Sequence, residues 1–329
     1  MTTPSPSAAA FDPAPILAGD RRAVARLLTQ VENGSPLAEA ALAALFPHTG
    51  RAHLIGVTGA PGTGKSSLVN ELAKTYRRQN RTVAVVAVDP TSPFTGGAIL
   101  GDRIRMRDLA GDAGVFIRSM ASRGALGGLA RATADVVKVL DAAGFDKLII
   151  ETVGAGQSEV DIAQTAHTTL VVEAPGLGDE VQGIKAGILE IADVLVLNKA
   201  DQPGAEGAQR ALRASQEIGR AAGPHPTAGR AAWLPPILPT VAVQGQGVAE
   251  LAEAIDRHRA YLRETGLDRE RERARLTAEL EGRLREALLA HLLARLDSGQ
   301  FRQTVDKLMR RAVDPAGAVA QLLDAARPA

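Results

Sequence analysis

The sequence predicts an α/β fold, in which a mostly parallel sheet carries helices on both faces and helical segments extend it at both ends. Three observations lead to this prediction. Short, continuous apolar runs, typical of strands buried on both faces, alternate with helical stretches. Glycine or polar residues follow these runs directly, as they do where ligands bind to such sheets. After about residue 266 the strand signals end and leucines recur at helical spacing.

The composition excludes several classes of protein. The chain has 329 residues, a net charge of +1 and 3% aromatic residues, which give no electrostatic or stacking basis for binding nucleic acid. It has no cysteine, so disulfides and thiolate metal sites are excluded. No apolar run reaches the length of a membrane span, and the N-terminus lacks a secretion signal. A cytoplasmic protein is expected.

Before the first strand, the sequence predicts a disordered tail over 1–15 and a helical extension over 16–50. The tail is rich in Pro, Ser and Ala. In the extension, Asp20 offers an N-cap, and apolar residues then recur at three- and four-residue spacing until Asn33-Gly34. A second short helix precedes Pro47.

The domain predicted over 51–265 alternates strands and helices. Each apolar run is too short for a helix and is rich in β-branched residues or leucine. The predicted strands are 54–58, 83–88, 147–150, 169–172 and 194–197, and the predicted helices include 66–79, 127–143 and 183–191.

The segment 266–329 is predicted to be a helical arm. Six leucines recur every four residues and imply a helix of some thirty residues: Leu276, Leu280, Leu284, Leu288, Leu292 and Leu296. Such a helix packs either onto its own domain or, as its length favours, against a second copy of the chain. Asp314-Pro315 predicts the start of a last short helix.

A phosphate-binding loop follows the first strand. Gly59-Ala60-Pro61-Gly62-Thr63-Gly64-Lys65-Ser66 matches G-x-x-x-x-G-K-[ST], with a strand before it and a helix, including Ser67, after it. Backbone N–H groups of such a loop surround phosphate oxygens. Lys65 is expected to reach the β- and γ-phosphates and Ser66 to bind Mg²⁺. The fold class is therefore that of a P-loop nucleoside triphosphatase.

A second motif selects the base. Asn198-Lys199-Ala200-Asp201 follows a later strand as N-K-x-D. The Asp201 carboxylate can accept hydrogen bonds from the N1–H and amino group of guanine, which adenine lacks. Asn198 is expected to hold the loop, and the stem of Lys199 to pack on the base. The loop Val241-Ala242-Val243 is expected to offer a backbone N–H to the guanine oxygen.

Acidic residues near the strand ends suggest a Mg²⁺ site and a γ-phosphate sensor. Asp89, Asp102 and Glu151 are the candidates, although each alone is as typical of a helix cap or surface ion pair. Gln157 is a candidate for orienting the attacking water. Lys185 or Arg103 is a candidate for stabilising charge in the transition state. The six histidines show no ligand spacing, so no transition-metal site is assigned.

Three longer runs, 88–103, 151–159 and 178–185, resemble the MeaB/ArgK family of P-loop GTPases. These proteins act as chaperones of adenosylcobalamin-dependent methylmalonyl-CoA mutase. The resemblance implies binding of GTP, GDP and Mg²⁺, homodimerisation through the C-terminal arm, and association with such an acyl-CoA mutase. The chain would gate cofactor loading and protect the mutase from inactivation.

The resemblance also implies roles for single residues. Lys65 and Ser66 match phosphate and Mg²⁺ binding, and Asp89, Asp102 and Glu151 match metal and switch acids. The segment 178–185 matches a third switch that responds to the mutase; its expected working residues are Asp179, Gln182 and Lys185. The sequence departs from the family pattern at Val241, usually Ser, at His167, usually Asp, and at Glu173, in a strand that is usually apolar.

Two other functions remain open from the sequence. One is a small-molecule kinase of the arginine/ornithine-transport type, although no motif for an acceptor pocket is visible. The other is a GTP-dependent metal-insertion protein, although the His/Cys motifs of such proteins are absent. For a GTPase, a low intrinsic rate is expected because no arginine finger is evident in the chain.

Overall fold

The computed structural model describes residues 11–89, 106–109, 111–121, 128–152, 162–163, 165–176, 190–222, 233–296 and 299–326. The chain divides into two compact units, Met1–Arg271 and Glu272–Ala329, whereas the sequence placed the start of the arm at 266. Within these described segments, no helix combines the length and the apolar composition needed to cross a membrane.

The first unit is built on one parallel sheet. Its strands are β1 (His53–Thr58), β2 (Val83–Asp89), β3 (Val115–Ala121), β4 (Lys147–Thr152), β5 (Thr168–Glu173), β6 (Val194–Leu197) and β7 (Ile237–Pro239). Their order is β3-β2-β4-β1-β5-β6-β7, and every pair is parallel. The α/β class predicted from the apolar runs is confirmed.

Helices cover both faces of this sheet. Among the described residues of the first unit, the helices are α1 (Ala14–Leu17), α2 (Arg21–Glu32), α3 (Pro36–Leu45), α4 (Lys65–Arg78), α5 (Gly128–Ala142), α6 (Ala205–Ala222) and α7 (Val248–Thr265). Short 3-10 helices span Phe46–His48, Arg107–Leu109 and Ala242–Gln244.

Alternate residues of the strands point to opposite faces, and two apolar cores result. Leu54, Leu148 and Ile150 join the core with α1, α2, α3 and α5. Ile55 and Ile149 join the core with α4 and α7 on the other face. Because all strands are parallel, their carboxyl ends meet at one edge, where the predicted phosphate and guanine motifs lie.

The N-terminal helices belong to the first core rather than to a separate body. Asp20 accepts hydrogen bonds from the backbone N–H groups of Arg22 and Ala23, as its predicted N-cap role requires. The prediction of a disordered tail over 1–15 is wrong at its C-terminal end. Phe11 packs against the first core and α1 begins at Ala14, because Phe11 and Ile16 bury apolar surface there.

Two strands were not predicted, β3 and β7. The β3 segment carries Arg118 and Ser119, which interrupt the apolar run that a buried parallel strand usually shows. The structure explains Arg118, because β3 is an edge strand and the Arg118 Nε donates to Glu32 Oε1 of α2 at 2.6 Å. The strand β7 has only three residues, too few for a periodic signal.

The second unit is helical. The predicted long helix is found as α8 (Leu267–Arg295), which belongs to this unit from Glu272 onward. In the same unit, α9 (Gln300–Met309) packs against α10 (Pro315–Ala325). Asp314 caps α10 through the N–H groups of Ala316 and Gly317, as predicted. Along α8, Leu280, Leu284 and Leu288 are 67%, 55% and 60% exposed.

Candidate functional site

The phosphate-binding loop joins β1 to α4, as the sequence predicts. Gly59, Gly62 and Gly64 have φ angles of +140°, +86° and +88°, and this backbone conformation is strained for any residue that has a side chain. A Cβ on Gly59 would run into the backbone oxygen of Val172, and one on Gly64 into the side-chain amide of Asn198. The glycines are thus required both by the turn and by the close approach of neighbouring strands.

Lys65 begins α4 and turns back over the loop. Its Nζ donates to the carbonyl oxygens of Gly59 at 2.7 Å and Ala60 at 2.9 Å, and the residue is buried. A buried ammonium group in a loop at a helix N-terminus provides positive charge where a phosphate group would lie.

Ser66 and Glu151 meet beside the loop. Ser66 Oγ donates to Glu151 Oε1 at 2.7 Å, and Glu151 is 5% exposed. The contact follows from the sheet, because Val57 of β1 lies in register with Glu151 of β4. A hydroxyl and a carboxylate are oxygen donors of the kind that Mg²⁺ prefers. Asp89 ends β2 at the same edge of the sheet.

Asn198 links the phosphate loop to two other loops of the site. Its Nδ2 donates to the carbonyl oxygen of Thr63 at 2.8 Å. Its Oδ1 accepts from Thr240 Oγ1 and from the backbone N–H of Ala242, both at 3.1 Å. The residue is 2% exposed, so these bonds are shielded from water.

The rest of the N-K-x-D motif continues from Asn198 into the loop after β6. Lys199 has a φ of +56°, and its Cε lies 3.9 Å from a Cβ built on Gly64, so its stem runs along the phosphate loop. The side chain of Asp201 is exposed. The backbone N–H of Ala200 donates to the Thr240 carbonyl oxygen at 3.0 Å, which joins this loop to the next.

The third predicted loop is only partly exposed. Val241 and Ala242 are buried, whereas Val243 is 82% exposed. The N–H of Ala242 donates to Asn198 Oδ1 in this structure. Thr240, which the sequence did not single out, contributes a hydroxyl to the same bond network; its signal was its place between a short apolar run and the loop.

Several predicted site residues lie outside the described residues. They are Asp102, Arg103, Gln157, Asp179, Gln182 and Lys185, and the side chain of Asp89 is likewise not described. The structure therefore brings together Lys65, Ser66, Glu151 and Asn198, with Lys199 and Asp201 adjoining.

One departure from the family pattern has a structural explanation. His167 precedes β5, and its Nδ1 accepts the backbone N–H of Leu54 at 3.1 Å. An aspartate at this position could accept the same N–H through its carboxylate. The substitution thus exchanges one acceptor for another, on the edge of the sheet away from the phosphate loop.

Comparison with known proteins identifies the family. The family described as methylmalonyl Co-A mutase-associated GTPase MeaB matches residues 24–297. The chain belongs to the MeaB family. A relative from Pyrococcus horikoshii is 46% identical over 93% of this chain and 94% of its own length.

Two further similarities agree with the MeaB assignment. The mitochondrial methylmalonic aciduria type A homolog of Caenorhabditis elegans is 37% identical over 56% of this chain and 50% of its own. The crystal structure of a LAO/AO transport system kinase covers 98% of this chain and 99% of its own, with a TM-score of 0.69 and 27% identity. This MeaB-family chain is thus a GTPase with a P-loop nucleoside triphosphatase fold.

For this MeaB-family protein, Glu151→Gln is expected to raise the Mg²⁺ concentration needed for half-maximal GTP turnover about tenfold. The amide keeps an acceptor for Ser66 Oγ but removes the negative charge that favours a divalent cation. Magnesium titrations of phosphate release measure this effect. Glu253→Gln removes the same charge from an exposed ion pair with Arg257 and serves as the control. Equal magnesium requirements in both variants would exclude Glu151 from the metal site.

Proposed function

We propose that the edge of the sheet described above binds GTP and GDP with Mg²⁺. Residues 59–67 surround the phosphates, with Lys65 on the β- and γ-phosphates. Ser66 and Glu151 supply oxygen donors suited to the metal, and Asp89 and Asp102 are further proposed metal acids. Support comes from the 2.7 Å bond that already joins Ser66 to Glu151.

Guanine is recognised in this proposal by the motif that Asn198 begins. Asp201 accepts from the N1–H and amino group of the base, while the stem of Lys199 packs on its face. The Val241–Val243 loop offers a backbone N–H to the guanine oxygen. Asn198 holds these loops together by bonding to Thr63, Thr240 and Ala242.

Hydrolysis then depends on positioning and charge. A bound Mg²⁺ supplies neutralisation of the charge that develops on the phosphate oxygens. Lys65 and the N-terminus of α4 orient the phosphates, and burial of Lys65 strengthens its field. Glu151 or Gln157 orients the attacking water, and Lys185 adds positive charge in the transition state.

We further propose that the chain is the chaperone of an adenosylcobalamin-dependent acyl-CoA mutase, foremost methylmalonyl-CoA mutase. The observation that carries this proposal is the match over residues 24–297 to a family described by its association with that mutase. In this role the nucleotide state gates cofactor loading and protects the mutase. The segment 178–185, with Asp179, Gln182 and Lys185, would respond to the partner.

A homodimer is part of the proposal. Support comes from the exposed leucines of α8, because apolar side chains in a row on a helix gain free energy when a second surface covers them. A pair of such helices would bury Leu280, Leu284 and Leu288 in common.

The proposed function is tested by measuring GTP turnover, with ATP as the control, alone and with a purified cobalamin-dependent acyl-CoA mutase. Turnover that is selective for GTP and stimulated by the mutase is expected. Selective turnover that no acyl-CoA mutase changes would contradict the chaperone role. Transfer of the γ-phosphate to arginine or ornithine rather than to water would favour the kinase alternative.

A further inference from the structure

A buried row of polar side chains runs along the edge of the sheet opposite the phosphate loop. Lys147 begins β4, His53 begins β1, Thr168 begins β5, and Asp193 directly precedes β6. His258 of α7 completes the row. All five are at most 8% exposed.

These side chains contact one another in sequence. The Nζ of Lys147 lies 3.3 Å from Nδ1 of His53. Thr168 Oγ1 lies 2.9 Å from Nε2 of His53 and 2.9 Å from Nδ1 of His258. The row ends where Nε2 of His258 lies 3.2 Å from Oδ1 of Asp193.

The far end of the row is an ionised carboxylate. Burial would raise the pKa of Asp193, but contacts with His258 and Arg271 outweigh it and the net pKa is lowered. Arg271 donates to both carboxylate oxygens, at 2.9 and 3.2 Å, and the backbone N–H of Thr169 donates at 2.9 Å. Asp193 therefore only accepts hydrogen bonds.

The near end of the row is a donor. Lys147 donates to Asp256 Oδ1 at 2.5 Å and faces His53 with a second N–H. Asp256 Oδ1 is 3.7 Å from His53 Nδ1, beyond hydrogen-bonding distance. Burial lowers the pKa of His53 to about 4, so the imidazole is neutral at pH 7.

The near end of the row fixes the hydrogen of His53. Its Nδ1 accepts from Lys147, so the hydrogen of the neutral imidazole lies on Nε2 and is donated to the Thr168 oxygen. The same oxygen lies within hydrogen-bonding distance of His258 Nδ1. The hydroxyl of Thr168 is therefore the central link between the two imidazoles.

We propose that Thr168 is a positioning residue for the nucleotide, because its hydroxyl fixes the start of β1 relative to the start of β6. The strand β1 leads to the phosphate loop and β6 leads to Asn198, with β5 between them. A single bound nucleotide must contact both the phosphate loop after β1 and the N-K-x-D motif after β6. The spacing of these two strands therefore sets the affinity of the protein for the nucleotide. The inference rests on the proposed guanine-nucleotide site.

The test compares Thr168→Val with Thr169→Val by calorimetry of GDP and of inorganic pyrophosphate. Thr169 is equally buried but its side chain lies on the opposite face of β5. For Thr168→Val, the Kd for GDP is expected to rise roughly tenfold while that for pyrophosphate, which contacts only the phosphate loop, stays unchanged. Thr169→Val is expected to stay within about twofold of the wild-type protein, and Thr168→Ser, which keeps the hydroxyl, to restore GDP binding.

Nitrogen-15 spectra of the wild-type imidazoles test the hydrogen arrangement without any variant. His53 is expected as the neutral Nε2–H tautomer at pH 7. An Nδ1–H tautomer or an imidazolium at His53 would overturn the proposal, as would equal GDP affinities in the two valine variants. A wild-type protein that fails to bind GDP would instead overturn the proposed function.

Discussion

Lys65→Ala is expected to lower GTP turnover at saturating GTP and Mg²⁺ by about 100-fold or more, the usual cost of removing one preorganised donor to developing charge. Lys65 Nζ contacts the carbonyl oxygens of Gly59 and Ala60, so the ammonium is held over the loop before any phosphate arrives. Alanine removes both this charge and its restraint on the loop. Phosphate release under single-turnover conditions measures the loss.

Two further variants show whether the loss is specific to the position of the charge. Arg78→Ala removes a positive charge from the last turn of the same helix, where Arg78 donates to Thr75 Oγ1 at 2.8 Å. Turnover is expected to be unaffected by this change. Lys65→Arg keeps the charge but replaces a compact ammonium with a planar guanidinium, and is expected to be as inactive as alanine. Turnover of Lys65→Ala within threefold of the wild-type rate would refute the role of Lys65.

The order of the site along the chain was predictable because it depends on local signals. The phosphate loop and the N-K-x-D motif each follow a short apolar run, and both runs form central strands, β1 and β6. The glycines, lysine and serine of the phosphate loop have a fixed spacing in the sequence. They form the site once the parallel sheet brings the carboxyl ends of those strands to the same edge. The edge strand β3 was not predicted because Arg118 interrupts its apolar run. Arg118 is there to bond Glu32 of α2, a contact that the local sequence of β3 does not reveal.

The contacts across the sheet were not predictable from spacing. His53 and His258 are separated by most of the domain, and neither forms a local motif. Only the parallel register places Thr168 between them, because Ile55 of β1 aligns with Thr168 of β5. The same holds for Asn198, whose predicted task was to hold its own loop. Its bond to Thr63 depends on how closely β6 and the phosphate loop approach.

Asn198→Ala is expected to lower the free energy of unfolding by about 2–4 kcal/mol and to weaken GDP binding more than tenfold. The change leaves the Thr63 carbonyl, the Thr240 hydroxyl and the Ala242 N–H without their buried partner. Urea unfolding and GDP calorimetry measure the two effects. Gln216→Ala is the matched control, because its side-chain amide also donates to a backbone carbonyl, that of Pro235, away from the site.

Asn198→Asp separates the two tasks of this side chain. The carboxylate can still accept from Thr240 Oγ1 and from the Ala242 N–H, so the guanine loop keeps its anchor. It cannot donate to the Thr63 carbonyl, and its charge is repelled by that oxygen, so the phosphate loop is released. GDP affinity is therefore expected to fall as far as in the alanine variant. If GDP binds to Asn198→Asp as tightly as to the wild-type protein, the bond to Thr63 does not set the geometry of the nucleotide site.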